Sequence, residues 1–381
     1  MSKKVLIYTE GWAGSGHRMA AVALKQALED KVPKMEIRML DGLREISPLL
    51  QKISNQTYHS SLRYAPGLWE KVYNLEKLWG KTIKKPLGKI LARRILKQVI
   101  DKFQPDHVIA THAYCLSALC QAKRKAIHPF QLTSIPTDFY VNNFWIHPEV
   151  DYYVVAHEHL AAELKQVYGI PDEKVRPFGI PIRPGFARDS HLDKSAWKSA
   201  LGLKPGVFTV LLSGGEGGYG NLSSILAQLL QVGRPLQILV ITGRNEQLRK
   251  NLLHSLQAVT TPHLIHILGF VESMWAYQGA ADLLISKPGG LTCSEAMSMG
   301  TPLLFLQPLP GQEQHNGKFL EKMGVAKRVE NLEEIPRLIT RWQIKNEELA
   351  QVAHTIRQHR KPDAAYRVVE LISPNGLEIL P

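Results

Sequence analysis

The sequence predicts an α/β protein made of two doubly wound, Rossmann-like domains that face a cleft. Short apolar runs alternate with helical patterns along most of the 381 residues, as is typical of parallel sheets with helices on both faces. The alternation breaks near Pro181 and then begins again, and the length suits two domains. A glycine-rich loop follows the first strand-like run of each series. Ligands of such folds bind at the carboxyl ends of the strands, so we expect a ligand between the two domains.

The first series begins with a strand, a glycine-rich loop and a helix. Residues 5–8 form the strand-like run, and Gly11, Gly14 and Gly16 mark the loop. Further strands are predicted at residues 36–40, 107–111, 131–137, 152–156 and 175–180. We predict an N-terminal domain over residues 1–185, followed by a linker over residues 186–204.

The second series repeats this alternation in the C-terminal half. Its strands are predicted at residues 208–212, 237–242, 265–268, 283–285 and 303–306. We predict a C-terminal domain over residues 205–350. A helical segment over residues 351–381 follows, which we expect to pack back on the N-terminal domain.

Composition narrows the class of protein. Hydrophobic residues make up 44% of the chain and charged residues 21%, which excludes a disordered or collagen-like protein. Three cysteines without paired spacing exclude a disulfide framework and favour a reducing compartment. We recognise no signal peptide and no apolar run of the ~20 residues that span a bilayer. We therefore expect a cytoplasmic protein that contacts the inner face of the cell membrane only peripherally.

A strongly basic segment lies between residues 52 and 97, where 11 basic residues face two acidic ones. It contributes much of the formal net charge of +13. Aromatic side chains beside basic ones suit the surface of an anionic bilayer. The residues that we assign to the membrane and the acceptor are Tyr64, Trp69, Tyr73, Trp79, Lys81, Lys84, Lys85, Arg93 and Arg94. The alternative is that the aromatic stripe packs on the N-terminal core and the lysines are solvated. No nucleic-acid-binding motif accompanies the segment, so we expect no nucleic acid partner.

The first glycine-rich loop presents a histidine. His17 lies at the start of a helix, where the N-terminus favours negative charge. An imidazole with an ordinary pKa near 6.5 suits proton transfer at neutral pH. His17 is therefore a candidate general base. The alternative is a loop histidine that only contacts the helix start.

The second glycine-rich loop matches the pattern G-x-G-x-x-G through Gly215, Gly217 and Gly220, which indicates a nucleotide site. The next strand ends near Arg244 without an acid for a ribose 2′-hydroxyl. An NADP oxidoreductase, with Arg244 at the 2′-phosphate, therefore remains an alternative.

The third loop ends its strand with a proline and two glycines. Thr292 and Glu295 form a T-x-x-E pattern, which predicts a capping box at a helix start. The N–H groups of Gly290, Leu291 and Thr292 would then bind a pyrophosphate. Glu295 would accept hydrogen bonds from a ribose diol, or would only cap the helix.

The fourth loop presents five consecutive polar side chains, from Gln312 to Asn316. Such clusters of donors and acceptors recognise sugar hydroxyls, and a solvated helix start is the alternative. The sequence contains no H-E-x-x-H motif and no clustered Cys/His pattern. We therefore expect no cofactor and no obligatory metal ion.

Motifs along nearly the whole chain resemble those of family 28 glycosyltransferases, which have the glycosyltransferase-B fold. The resemblance is greatest to monogalactosyldiacylglycerol synthases and bacterial processive diacylglycerol glucosyltransferases. It depends most on Lys287-Pro-Gly-Gly-Leu-Thr292, followed by Pro310-Gly-Gln-Glu313. Further matching segments lie at residues 14–18, 137–139, 144–151, 179–184, 242–245, 269–271 and 294–296.

The resemblance implies roles for individual residues. His17 matches the proposed general base, Asp138 lies in a motif near the acceptor, and Arg183 matches a position near the donor phosphates. The other donor contacts are Gly16 and Gly215 in the glycine loops, Arg244, the uracil-binding Phe270 and Val271, the diphosphate-binding Gly290, Leu291 and Thr292, the ribose-binding Glu295, and the hexose-binding Gln312 and Glu313.

The resemblance also implies an activity. We expect an inverting glycosyltransferase that moves a hexose, glucose in our prediction, from a UDP-sugar to diacylglycerol at an anionic membrane surface. Galactose as the donor sugar, or another lipid acceptor, is the alternative. An NADP-dependent oxidoreductase and a non-enzymatic basic binding protein are the remote alternatives.

Overall fold

The computed structural model describes residues 3–11, 15–42, 92–306, 308 and 311–373 of the chain. Residues 12–14 and most of the basic segment lie outside this range. Of the residues assigned to the membrane and the acceptor, Tyr64, Trp69, Tyr73, Trp79, Lys81, Lys84 and Lys85 lie outside it, while Arg93 and Arg94 are exposed. The described residues divide into two compact units.

The first unit contains the described residues up to Pro184, together with Gly311, Gln312 and those from Asp363 onward. Its six strands pair in parallel in the order β2-β1-β3-β4-β5-β6. The strands are β1 (Lys4–Thr9), β2 (Glu36–Asp41), β3 (His107–Ala110), β4 (Gln131–Ser134), β5 (Tyr152–Val154) and β6 (Val175–Arg176). The helices are α1 (Ser15–Lys31), α2 (Asp101–Phe103, after a π-helical turn over Leu96–Ile100), α3 (Ala113–Lys123), α4 (Glu158–Tyr168) and, at the end of the chain, α14 (Ala364–Ile372).

The core of the first unit follows from its apolar strands. Val5 and Ile7 of β1 are buried, and Leu24 of α1 packs on the same cluster. Helix α14 contributes Val368 and Val369 to that cluster and contacts α1. A central strand with helices on both faces must be apolar almost throughout, which is why the β1 run was recognisable.

The second unit contains the residues from Gly185 to Pro362 that the structure describes, apart from Gly311 and Gln312. Its six parallel strands have the order β12-β11-β10-β7-β8-β9. They are β7 (Thr209–Ser213), β8 (Gln237–Ile241), β9 (Leu264–Leu268), β10 (Leu283–Ile285), β11 (Leu303–Phe305) and β12 (Ala326–Arg328). The helices are α5 (Pro184–Arg188, which starts one residue before the unit), α6 (Lys194–Ala200), α7 (Leu222–Leu229), α8 (Glu246–Leu256), α9 (Met274–Ala280), α10 (Gly290–Met299), α11 (Gln312–Lys322), α12 (Glu334–Ile344) and α13 (Glu347–His359).

Each sheet has a point at which the strand order reverses direction. In the first sheet this point lies between β1 and β3, and in the second it lies between β7 and β10. The loops that leave two such strands diverge to opposite faces of the sheet and open a crevice at its carboxyl edge. The glycine loop with His17 and the loop before α10 both start at these points.

All eleven strands predicted from the sequence are present, with ends that differ by a few residues. The prediction missed β12, a short strand at the edge of its sheet whose residues Ala326–Arg328 include two basic side chains. The stretch predicted as a linker contains helix α6. Within the described ranges, no helix combines the length and the apolar character needed to cross a membrane.

Candidate active site

The loops after β1 and β3 place His17 beside Thr111. His17 lies in the first turn of α1, and Thr111 directly follows β3. His17 Nδ1 is 2.9 Å from the carbonyl oxygen of Thr111 and 2.6 Å from the hydroxyl oxygen of Thr137. The Thr111 hydroxyl donates to the carbonyl oxygen of His17 over 3.1 Å. His17 is therefore held at its ring and at its backbone.

The surroundings of His17 favour a neutral ring near pH 7. Burial lowers the pKa of His17 below 6.5, while the charge of Asp138 and the hydrogen bond to Thr111 act in the opposite direction. The His112 ring meets His17 edge-on, with 4.5 Å between the ring centroids. Burial, and then the charge of His17, lower the pKa of His112 well below 6.5. A neutral imidazole can accept a proton, as a general base must.

The other predicted site residues of the first unit lie on three different parts of its chain. Gly16 precedes it in the first turn of α1. Asp138 lies half-buried on the loop after β4, near enough for its charge to act on His17. Arg183 is half-buried among the last residues of the unit, after β6. The structure therefore groups Gly16 and Asp138 with the candidate base.

In the second unit, helix α10 begins at the switch point between β7 and β10. Its N-cap is Gly289, with φ −71° and ψ 138°. The predicted capping box is wrong, because Thr292 is the third residue of the helix rather than its N-cap. The helix starts earlier because the extended Gly289 already accepts a hydrogen bond from the N–H of Cys293 over 2.9 Å. The N–H groups of Gly290, Leu291 and Thr292 have no acceptor within the helix and are placed to bind an anion.

The remaining donor-site predictions lie within α10, at the start of α11 and in the loops after β9 and β7. Glu295 is buried in α10, and without a capping box the alternative that it only caps the helix no longer applies. Gln312 is the half-buried first residue of α11. Val271 is half-buried in the loop after β9, and Gly215 takes a φ of +71° in the loop after β7. That φ lies in the left-handed region, which glycine adopts without strain.

Helix α11 is docked on the loop between β10 and α10. The buried Asn316 donates from Nδ2 to the carbonyl oxygen of Pro288 over 3.1 Å. Lys287 Nζ lies 2.8 Å from Glu313 Oε1 and 5.5 Å from the centroid of the Tyr219 ring. The loop before α10 therefore presents a cation beside the first turn of α11.

The loops after β7 and β8 pack backbone against backbone. A Cβ atom on Gly218 would lie 2.4 Å from a carbonyl oxygen of the β8 loop, and one on Gly243 would lie 2.2 Å from the carbonyl oxygen of Glu216. Only glycine permits this approach. Arg244 Nε then donates to Glu216 Oε1 over 2.8 Å, and its guanidinium lies 4.4 Å from the centroid of the exposed Phe270 ring. The stacked pair offers a flat platform at the edge of the unit.

Sequence reasoning missed several residues of both sites. Thr111, Thr137 and His112 surround His17, and Tyr219 lies over Lys287. The segment 137–139 was recognised as a motif without a role for its threonine. Nothing in the sequence indicates that Thr111 lies beside His17, because the alternation of strands and helices does not show that β3 is the neighbour of β1.

Three side chains that could bind a metal ion meet elsewhere in the first unit. Cys120, His147 and Glu149 offer ligand atoms that lie within 4.8 Å of one another. The Glu149 carboxylate binds the Arg124 guanidinium, so a metal ion would compete with an existing ion pair. Cys120 is far from His147 and Glu149 in the sequence, so the spacing of metal-binding motifs does not reveal this group. The absence of an obligatory metal ion stays a prediction.

Two family models match the chain in succession. The model described as monogalactosyldiacylglycerol (MGDG) synthase matches residues 17–182. The model described as glycosyltransferase family 28 C-terminal domain matches residues 221–368. The chain belongs to the family 28 glycosyltransferases. The first match begins at His17, and the second contains the whole of α10 and α11.

The glycosyltransferase is similar along nearly its whole length to proteins named processive diacylglycerol beta-glucosyltransferase. The one from Bacillus thuringiensis (strain Al Hakam) is 28% identical over 370 residues, which cover 97% of this chain and 93% of the relative. The one from Bacillus cereus (strain ATCC 10987 / NRS 248) is 29% identical, with the same coverage.

Solved structures confirm the predicted glycosyltransferase-B fold. MurG from Acinetobacter baumannii matches with a TM-score of 0.65 and 19% identity, over 98% of this chain and 99% of that one. HepE from Anabaena, in complex with UDP-glucose, matches with a TM-score of 0.53 and 13% identity, over 97% of this chain and 99% of that one. As a glycosyltransferase, the chain is neither the NADP oxidoreductase nor the non-enzymatic binding protein kept as remote alternatives.

Proposed function

We propose that this glycosyltransferase moves a glucosyl residue from UDP-glucose to the free hydroxyl of diacylglycerol, with inversion at the anomeric carbon. The observation that carries the proposal is the N-terminus of α10, whose three uncapped N–H groups suit the diphosphate of a nucleotide sugar. The names of the relatives at 28–29% identity support diacylglycerol as the acceptor and glucose as the sugar. UDP-galactose is the second candidate donor, which the name of the first family model favours.

Most of the residues that bind the donor lie in the second unit. The N–H groups of Gly290, Leu291 and Thr292 hold the diphosphate, and Glu295 accepts hydrogen bonds from the ribose hydroxyls. The loop at Phe270 and Val271, with Arg244 stacked on Phe270, holds the uracil. Gln312 and Glu313 hold the hexose hydroxyls, and the backbone at Gly16 and Gly215 lets the donor approach closely.

The first unit supplies the base. Nε2 of His17 takes the proton of the acceptor hydroxyl as its oxygen forms a bond to the anomeric carbon. The bond from that carbon to the phosphate oxygen breaks, and UDP leaves with the electron pair. Asp138 stabilises the imidazolium that results. Proton removal of this kind contributes ~10²–10⁴-fold to the rate.

The departing UDP gains negative charge, which the protein must stabilise. The N–H groups of α10, the ammonium of Lys287 and the guanidinium of Arg183 supply donors and positive charge. Removing one preorganised donor from comparable sites costs ~3–4 kcal/mol of transition-state stabilisation. All of these stabilising groups belong to residues of the chain.

The acceptor is a lipid, so the reaction takes place at a membrane surface. We place the enzyme peripherally on the inner face of the cell membrane, with the basic segment between residues 52 and 97 on anionic lipid. Of the basic residues of this segment, the structure describes Arg93, Arg94 and Lys97, and all three are exposed. Each basic residue near such a surface contributes ~1 kcal/mol of attraction.

Product analysis tests the proposal. The protein is incubated with labelled UDP-glucose or UDP-galactose and vesicles that contain diacylglycerol and anionic lipid, and the lipid products are identified by mass spectrometry. We expect a glucosyl-diacylglycerol from the wild type and none from His17→Ala. Label that stays in the nucleotide with both donors would contradict the function, and galactosyl product alone would favour the second candidate.

A further inference from the structure

The hydrogen bonds of the His17 ring determine which of its nitrogens is basic. Nδ1 lies 2.9 Å from the carbonyl oxygen of Thr111 and 2.6 Å from the hydroxyl oxygen of Thr137. A carbonyl oxygen can only accept, so Nδ1 must carry a hydrogen atom. Thr137 is then the second acceptor of the same N–H, because Nδ1 has no lone pair left. In the neutral ring the lone pair consequently lies on Nε2.

We propose that Thr137 is a positioning residue for glycosyl transfer. With the carbonyl group of Thr111, its hydroxyl oxygen keeps the proton on Nδ1 and aims the basic Nε2 at the acceptor hydroxyl. This inference deepens the proposed function and rests on it, because it takes His17 as the general base.

The two acceptors also fix the orientation of the ring. A half-turn of the imidazole would exchange Nδ1 with Cδ2 and Nε2 with Cε1. It would place a carbon atom against both threonine oxygens and move the basic nitrogen to another position. The hydroxyl of Thr111 adds a third contact by donating to the backbone carbonyl of His17. The ring therefore has one favoured orientation and one favoured tautomer.

The fold explains how Thr137 reaches the ring. Strands β3 and β4 are neighbours in the sheet, and the N–H of Ile135 donates to the carbonyl oxygen of Ala110 over 2.9 Å. The chain beyond β4 therefore continues beside Thr111 to the switch point. Thr137 is 4% exposed, so water does not readily replace its hydroxyl at the ring.

A matched set of variants tests the proposal. Thr137→Val removes the hydroxyl and keeps the shape of the side chain, whereas Thr137→Ser keeps the hydroxyl. Thr355→Val makes the same substitution on α13 in the second unit and is the control for effects of a Thr→Val change outside the site. The readouts are kcat, the KM for UDP-glucose, the pH profile of kcat/KM and the melting temperature.

We expect Thr137→Val to lower kcat by ~10–100-fold, which is less than the ~10²–10⁴-fold that the base itself contributes, and to leave the KM for UDP-glucose unchanged. The acid limb of the pH profile should move to lower pH, because the imidazolium loses an acceptor. Thr137→Ser should restore most of kcat, and Thr355→Val should match the wild type.

The ¹⁵N NMR spectrum of protein labelled at histidine reads the tautomer directly. We expect the wild-type His17 ring in the Nδ1–H form. In Thr137→Val the carbonyl group of Thr111 still favours this form, so we expect only a minor fraction of the Nε2–H form. A wild-type ring in the Nε2–H form would overturn the proposal, even if Thr137→Val did not fold.

Two kinetic results would also overturn it. One is wild-type kcat with an unshifted pH profile in Thr137→Val while His17→Ala is inactive. The other is a Thr137→Ser variant as impaired as Thr137→Val, which would assign the effect to packing. Full turnover by His17→Ala would instead remove the base from the proposed function, so the two failures are distinguishable.

Discussion

Lys287 and Glu313 form an ion pair with 2.8 Å between Nζ and Oε1, although they are 26 residues apart in the sequence. One lies on the loop before α10 and the other in the first turn of α11. Under the proposed function, Lys287 is at the diphosphate and Glu313 is at the hexose. The pair therefore holds the Glu313 carboxylate in place before the donor binds, and links the two ends of the donor site.

Glu313→Gln should weaken the binding of the hexose more than the binding of the nucleotide. We expect the affinity for UDP-glucose to fall by ~10-fold and that for UDP to change little, because a hydrogen bond to a charged group is worth ~1.5–3 kcal/mol. Isothermal titration calorimetry measures both affinities. Glu370→Gln, an exposed change on α14, is the control. An equal loss for both ligands would assign the ion pair to the diphosphate rather than to the hexose.

The pH dependence of transfer should report the environment of His17. Because burial lowers the pKa of His17, the acid limb of kcat/KM should lie below pH 6.5. Asp138 raises that pKa, so Asp138→Asn should move the limb to still lower pH and reduce kcat. A limb that stays in place in Asp138→Asn would show that the titrating group is not His17.

His107 should make the first unit less stable in acid. Burial lowers the pKa of His107 to about 4, and its Nε2 lies 2.8 Å from the hydroxyl oxygen of Thr133. In the unfolded chain this group titrates near its ordinary value of 6.5, so as the pH falls the unfolded state binds a proton first. The free energy of unfolding therefore has its full value above pH 6.5, where His107 is neutral in both states. It falls as the pH falls from 6.5 towards 4.

Urea unfolding at two pH values measures this effect. Between pH 7 and pH 5, we expect His107 to account for a loss of about 2 kcal/mol in the free energy of unfolding. His107→Gln should lack this component and show a correspondingly shallower pH dependence. The same pH dependence in both proteins would contradict the assignment.

Asp282 should be essential for the stability of the second unit. It binds Lys198 Nζ over 2.7 Å and Lys194 Nζ over 2.8 Å, and the Lys198 side chain is 4% exposed. Burial raises the pKa of Asp282, but the two lysines outweigh burial and the net shift is downward. The ion pairs of Asp282 with the two lysines therefore stabilise the unit above pH 4. This stabilisation is lost as Asp282 binds a proton at lower pH.

Asp282→Asn should lower the free energy of unfolding by ~3–5 kcal/mol, because it leaves the ammonium of Lys198 buried without its counter-charge. The double variant Asp282→Asn with Lys198→Met should recover much of this loss. Urea unfolding followed by tryptophan fluorescence measures both. A double variant no more stable than Asp282→Asn would show that the buried charge is not the cause.

Most strands could be predicted because each is recognisable from its own short run of residues. Strands such as β7 and β8 are buried on both faces and therefore read as continuous apolar runs. Strand β12 lies at an edge and carries Lys327 and Arg328, so nothing in its composition marks it as a strand. The start of α10 was misplaced because Thr292 and Glu295 match a capping pattern, while the extended Gly289 begins the helix.

The candidate site was predictable only in part, for a different reason. His17 and the residues of the α10 loop lie in glycine-rich loops that the sequence displays. The residues that orient them come from far along the chain: Thr137 is 120 positions from His17, and Thr111 is 94. Contacts at such separations depend on strand order, which the alternation of strands and helices does not determine.

The most direct test of the donor site replaces one N–H group of α10. Gly290 is the first residue of the helix, where proline is tolerated, and the extended Gly289 before it is compatible with a following proline. Gly290→Pro removes the N–H, and Gly290→Ala adds a Cβ atom but keeps it. In calorimetric titrations with UDP, the account predicts binding to the wild type and an affinity ~10-fold weaker for Gly290→Pro than for Gly290→Ala. Equal affinities in the two variants, or no heat of binding in the wild type, would contradict it.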